Sequence, residues 1–232
     1  VTVISVLSID FDYFIDASAA ERDQYFLTGG EDIPREQLDS MWTERYAAYP
    51  QIARIGVIAE FDPFKWFLES LNLDAASVFV SETHRAIKQL IDSLPQGEQL
   101  MIVNVDFHHD FYHYFSGDDY CNCGNWLRRV LEERPTVQVR WIRRADSQLA
   151  TLEGDVPFAH TTDLASVFRE HFDYVFLCRS PEWSPPHLSS RYEELVWALF
   201  EARPKGCLER YSPQSACCDD TLQGHHVGGK AQ

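Results

Sequence analysis

From residue 76 onward, short apolar runs alternate with amphipathic stretches, and that rhythm admits few architectures. Ser77 to Val80, Gln99 to Val105, Val137 to Arg143 and Tyr174 to Cys178 read as buried strands, after a first β-branched run at Thr2 to Ser8. Between them Thr83 to Leu94, Trp126 to Glu133, a stretch near Asp163 to His171, and Leu188 to Ala202 read as helices. Strands alternating with helices predict an α/β, three-layer αβα fold with a mostly parallel sheet, whose ligands sit beyond the carboxyl ends of the strands. Glu21 to Pro50 reads as an excursion from that sheet, with Gly29-Gly30 and Pro34 ahead of a helix near Arg35 to Ala48. Asp62-Pro63 supplies an N-cap and a first-turn proline for a helix to about Leu71. Residues 1–205 are expected to form one domain and 206–232, which lack periodicity, a loosely held tail.

Charge narrows the partners. Against 20 Lys and Arg stand 36 Asp and Glu, a net charge of −16, which repels phosphate backbones and anionic membranes. No nucleic acid and no membrane is therefore expected as partner. Metal ions, guanidinium or amine groups and basic peptides suit the field better, although solubility alone gives the same charge. Val1 to Ile9 is short and has no basic segment before it, so no signal peptide is expected, and no run approaches a membrane span. Six scattered Cys, at 121, 123, 178, 207, 217 and 218, predict reduced thiols and a cytoplasmic setting.

The chemistry concentrates in two runs. Val103-Asn104-Val105-Asp106-Phe107-His108-His109-Asp110 delivers Asp, His and Asp at alternate positions after a hydrophobic strand, and period two puts the three on one side. Carboxylate oxygens with a neutral imidazole form a divalent-metal ligand set. Ser8-Ile9-Asp10-Phe11-Asp12 repeats the logic with two carboxylates, which repel unless a cation sits between them. Asp10, Asp12, Asp106 and Asp110 together need about two divalent ions for neutrality, which argues for a binuclear centre. Such an oxygen-rich set favours two Mn²⁺, with other divalent ions as alternatives. Solvated loop carboxylates or helix caps are the plainer reading of the same residues.

These motifs resemble the arginase-like ureohydrolases, which pair an Asp-x-His-x-Asp with a Ser-x-Asp-x-Asp and an earlier His. Here that His is His84, 22 residues before Asp106. The resemblance implies one ion on His84, Asp106, Asp110 and Asp10, and the other on His108, Asp12 and the shared Asp106 and Asp10, with a bridging hydroxide as nucleophile. Asp110 and His109 would join Glu182 as catalytic residues. Glu182, in Ser180-Pro181-Glu182-Trp183, would grip a guanidinium, with Glu60 as its rival; Trp183 and Asn125, the latter in a Gly-Asn segment, would line the substrate. The chain departs from the family in several places. The Ser-x-Asp-x-Asp comes first, as in a permuted and reduced member; His84 lacks a Gly-Gly-Asp lead; Asp12 lacks a following Asp-Pro; and Leu127 stands where a His is expected. A proton shuttle then falls to His109, His113 or His187, or is absent.

Within that superfamily the chain looks most like the peptide arginases, by its length, Asp-x-Asp-Tyr-Phe, Asp-x-His-His-Asp and Ser-Pro-Glu-Trp. That resemblance implies hydrolysis of arginine residues in an arginine-containing precursor peptide to ornithine and urea. A small-molecule ureohydrolase, a deacetylase-like amide hydrolase and a non-catalytic binder on the same fold remain open alternatives.

Overall fold

The structure, a computed structural model, describes residues 3–26, 33–73, 77–113, 120–151 and 154–201. Gly29-Gly30, residues 117–119 ahead of the Gly-Asn segment, and the tail at 206–232 with Cys207, Cys217 and Cys218 lie outside the described residues.

Six strands form one sheet in the order β2-β8-β1-β3-β4-β7, every neighbouring pair parallel. They are β1 (Val3–Asp10), β2 (Val78–Ser81), β3 (Gln99–Val105), β4 (Gln138–Ile142), β7 (Ala159–Thr161) and β8 (Tyr174–Cys178); β5 (Ala150–Thr151) and β6 (Gly154–Asp155) make a separate antiparallel ribbon. Alternation along the central strands sorts their side chains onto two cores. Leu7, Ile9, Val103, Val105, Val175 and Leu177 face a layer built from α2 (Arg35–Ala48), α3 (Phe61–Ser70) and α6 (Ser189–Glu201). Val6, Ile102, Val139 and Phe176 face α4 (Ile87–Ser93) and α5 (Trp126–Glu133) on the other side. The expected three-layer αβα architecture is the observed one.

Several boundaries differ for physical reasons. β1 runs on to Asp10, and a 3-10 turn at Phe11–Phe14 follows, so Asp10 closes the strand and Asp12 sits past it. Helix α1 (Ala19–Tyr25) straddles the start of the expected excursion and begins at a capping box, Ser18 with Glu21. The N-cap of α3 is Glu60 rather than Asp62. The expected Thr83 helix begins as a 3-10 turn, His84–Ala86, and the stretch near Asp163 is a 3-10 segment, Leu164–Arg169, that buries only Leu164 and Val167. Among the described residues no helix is long and apolar enough to cross a membrane.

Candidate metal centre

Strands β1 and β3 lie side by side in register, Ser8 opposite Asn104 and Ile9 opposite Val105, and both end in the same local device. Asp10 Oδ1 accepts the Asp12 amide at 3.0 Å, and Asp106 Oδ1 accepts the His108 amide at 2.8 Å. A carboxylate bonded to the backbone two residues on is an Asx turn, which offers the chain an alternative to the ladder and ends the strand. The period-two reading of Asp106, His108 and Asp110 therefore needs correcting: β3 stops at Val105, and the three residues converge through a turn. Two adjacent Asp-Phe-x turns put two carboxylates at one sheet edge. Strand β8 brings Ser180 there, and the turn after β2 brings His84; Arg179 N–H donates to Ser81 O and Ser180 N–H to Glu82 O, holding the two loops together.

The cluster has two poles. At the first, His84 Nδ1 lies 3.3 Å from Asp10 Oδ2, 3.2 Å from Asp106 Oδ2 and 2.9 Å from Asp110 Oδ2. Its other nitrogen, Nε2, is 2.7 Å from Ser8 Oγ, and the ring stacks on Phe176 and packs against Trp126. With Nε2–H donating to Ser8, Nδ1 presents a lone pair to three oxygens, the usual arrangement of a metal-ligating His with its outer partner. Ser180 Oγ–H donates to Asp10 Oδ2 and Trp126 Nε1–H to Asp110 Oδ2. Ser180 and Asp110 are the described non-glycine residues with positive φ, 47° and 49°, a conformation that costs on the order of 1 kcal/mol and concentrates at functional sites.

At the second pole His108 Nδ1 lies 2.9 Å from Asp12 Oδ2 and 4.0 Å from Asp106 Oδ1. Asp106 thus turns one oxygen to each imidazole. Behind Asp12 the buried Arg22 of α1 places Nη1 3.6 Å from Oδ2, donates from Nη2 to the Asp12 carbonyl, and lies over the Phe107 ring. Trp183 packs on His108 with ring centroids 4.6 Å apart.

Burial and like charge set the protonation of this cluster. Desolvation, then the neighbouring carboxylates, push Asp106 well above the ordinary carboxylate range, and desolvation with Asp12 raises Asp10. Burial also acts to raise Asp12, but His108 and Arg22 outweigh it and hold it at about 2. Burial opposes charge on His84, yet Asp110 and the other carboxylates overcome it and push that imidazole well up. Without an ion, the cluster therefore draws protons onto Asp10, Asp106 and His84.

The donor set fits divalent ions. His84 Nδ1 and Asp12 Oδ2 are buried and make no hydrogen bond, which one N–H could not supply to three oxygens in any case. The ligand atoms of His84, Asp106 and Asp110, and those of Asp12, Asp106 and His108, each lie within 4.8 Å of one another. At that spacing two carboxylates repel by roughly 3 kcal/mol at an effective dielectric of about 20. Four buried carboxylates against the single Arg22 guanidinium leave more negative charge than one divalent ion neutralises.

The other sequence-derived residues fall in different places. Glu182 is 2% exposed in the loop that joins both poles through Ser180 and Trp183. Helix α2 locks that loop, Trp42 Nε1–H donating to Pro181 O and Arg45 to Glu182 O. Glu60 is exposed at the start of α3, with no contact to the cluster among those described. Asn125 is occupied in its own loop, accepting from Asn122 N–H and donating to Tyr120 O at the start of α5. His109 packs against Tyr112 and Trp141 and accepts from Phe111 N–H; desolvation lowers it to about 4, which favours the uncharged imidazole. His187 uses both nitrogens, on Tyr46 and on Ile55 O. His113 is exposed.

Sequence reasoning assigned no role to Ser8, Ser180, Trp126 or Arg22, which orient the carboxylates and His84. Ser8 alone had a local signal, being the first member of Ser-x-Asp-x-Asp. No protein-family model matches the chain, and no curated protein is detectably similar to it.

Proposed function

We propose that this protein is a binuclear metal hydrolase that cleaves the guanidinium of arginine residues in a precursor peptide to ornithine and urea, most closely resembling the peptide arginases. The observation that carries the reading is Asp106, whose two oxygens face two imidazoles from opposite sides. Two divalent ions, manganese in this reading, would supply an activated water at neutral pH and Lewis acidity toward the amidine carbon. Asp10, Asp106, Asp110 and His84 would hold one ion, and Asp12, His108 and the shared carboxylates the other.

The buried Glu182 suits a planar cation, since a carboxylate can accept two parallel N–H bonds from a guanidinium. Trp183, beside His108, offers a ring face to the same cation. Water's oxygen joins the amidine carbon, the bond from that carbon to the side-chain nitrogen breaks, and urea leaves. Both of the water's protons end on the departing nitrogen, one through a cluster carboxylate, Asp110 in this reading, and the other by way of solvent, which gives neutral urea and the ornithine ammonium.

The test is urea release from an arginine-containing peptide and from free arginine after manganese loading. Faster turnover of the peptide is expected, because flanking residues add binding energy. Equal or better turnover of free arginine reassigns the protein to small-molecule ureohydrolysis, and release of acetate from an acetyl-lysine peptide instead reassigns it to deacetylation.

A further inference from the structure

Cys178 ends β8 in register with Asp10 on one side and Ser81 on the other, and it is fully buried. Two residues earlier Phe176 stacks flat on His84, so alternation turns the Cys178 side chain toward the same imidazole. Its sulfur, an Asp10 oxygen and a His84 nitrogen all lie within 4.8 Å of one another. Cys178 also packs in the apolar core of that face, but packing does not account for a thiol beside the Asp10 carboxylate and a buried His84 whose Nδ1 has no assigned hydrogen-bond partner. Its polar neighbours are Ser180 Oγ, 3.7 Å away and itself donating to Asp10, and the Asp10 carboxylate.

We propose that Cys178 Sγ is a ligand to the ion held at the His84 pole, so that the centre pairs a sulfur-bearing position with a sulfur-free one. The inference rests on the binuclear reading above, though not on the identity of the substrate. Forming the sulfur–metal bond releases the thiol proton to solvent, as ligation by cysteine requires. Thiolate favours zinc and other borderline ions, whereas the Asp12, Asp106 and His108 position keeps harder oxygen donors with one imidazole and suits manganese. The two poles should therefore sort a mixture of metals.

X-ray absorption at the zinc edge tests this in the intact chain. With zinc at both poles the expected first shell contains a sulfur near 2.3 Å, about one for every two zinc ions. With one equivalent each of zinc and manganese the count should rise to about one sulfur per zinc, because manganese takes the other pole. Cys178→Ser should remove the sulfur shell while still binding two ions. A nitrogen and oxygen shell alone, with two zinc ions bound, overturns the proposal and leaves the binuclear centre standing. A sulfur shell that survives Cys178→Ser overturns it as well. A sulfur count that stays at half in the mixed sample refutes the sorting without use of any variant. Failure to bind metal at all removes the binuclear reading and this inference together.

Discussion

The two poles of the cluster share Asp106 but are built to different standards. The His84 side chain is 1% exposed, while that of His108 is 19% exposed. His84 is tied at its far nitrogen to Ser8 and enclosed by Phe176 and Trp126, and its carboxylates are oriented by Ser180 and Trp126. His108 borders Trp183 and the Glu182 loop. A fully enclosed ligand set loses little freedom when it binds, so it retains an ion; a half-open one leaves room for a substrate. Under the proposed function this contrast would give retention of an ion to the His84 pole and reaction to the His108 pole.

Asp106→Asn should have the largest effect, since it weakens both poles at once. Activity should fall by more than the roughly 100-fold typical of losing an outer-shell partner, and metal analysis should find neither position filled. Retention of two ions with near-normal turnover would remove the bridging role.

Next come the imidazoles. His84→Ala leaves three buried carboxylates without their counter-group, a loss that costs about 3–5 kcal/mol for a broken buried pair. The metal-free protein should melt far below wild type, whereas His108→Ala should lose activity and one ion with a smaller fall in melting temperature. Equal destabilisation would break the proposed division of labour. Glu182→Gln should be milder: about 10- to 100-fold in kcat/KM, the worth of one charged hydrogen-bonding partner, with both ions retained. Loss of metal in that variant would place Glu182 among the ligands.

The same contrast explains what the sequence discloses. Five of the six candidate ligands are visible because each poses a local electrostatic problem: Asp-x-Asp and Asp-x-His-x-Asp crowd charges within a few residues, whereas His84 stands alone and is reached only through the family resemblance. The boundaries of β3, β8, α2 and α5 are visible for a similar local reason, an unbroken apolar or amphipathic run between polar punctuation. The residues that make the His84 pole rigid are not local. Ser180 reaches Asp10 across 170 residues, and Ser8 reaches His84 across 76, so their partners depend on which strands lie adjacent. Likewise the three-residue β7 at the sheet edge follows from its ladder with β4 rather than from its own composition. Helix α1 is the exception, since its Ser18 and Glu21 capping box is written in four consecutive residues.

The smallest expected effect is a pH dependence that separates the poles. Without metal, Asp10 and Asp106 are raised above 3.8 and His84 well above 6.5. For each, the folded state holds a proton that the unfolded chain has released, so the stability they contribute is present at low pH and is lost as pH rises through the folded values. Asp12, held at about 2, has the opposite sign: its contribution is present above 3.8 and disappears only as pH falls toward 2. Above pH 6.5 Asp12 is therefore constant, while the groups of the His84 pole erode the metal-free protein as pH climbs. Bound ions hold those groups in their ligand state and compete better as protons become scarce. The melting-temperature gap between metal-loaded and metal-free protein should widen between about pH 7 and 9, by a few degrees for each kcal/mol of lost stability. Because the slope belongs to the His84 pole, His84→Ala should flatten it and His108→Ala should leave it nearly intact. A gap that is level with pH in the wild type, or a slope abolished by His108→Ala instead, would show that the buried pole is not where protons and metal compete.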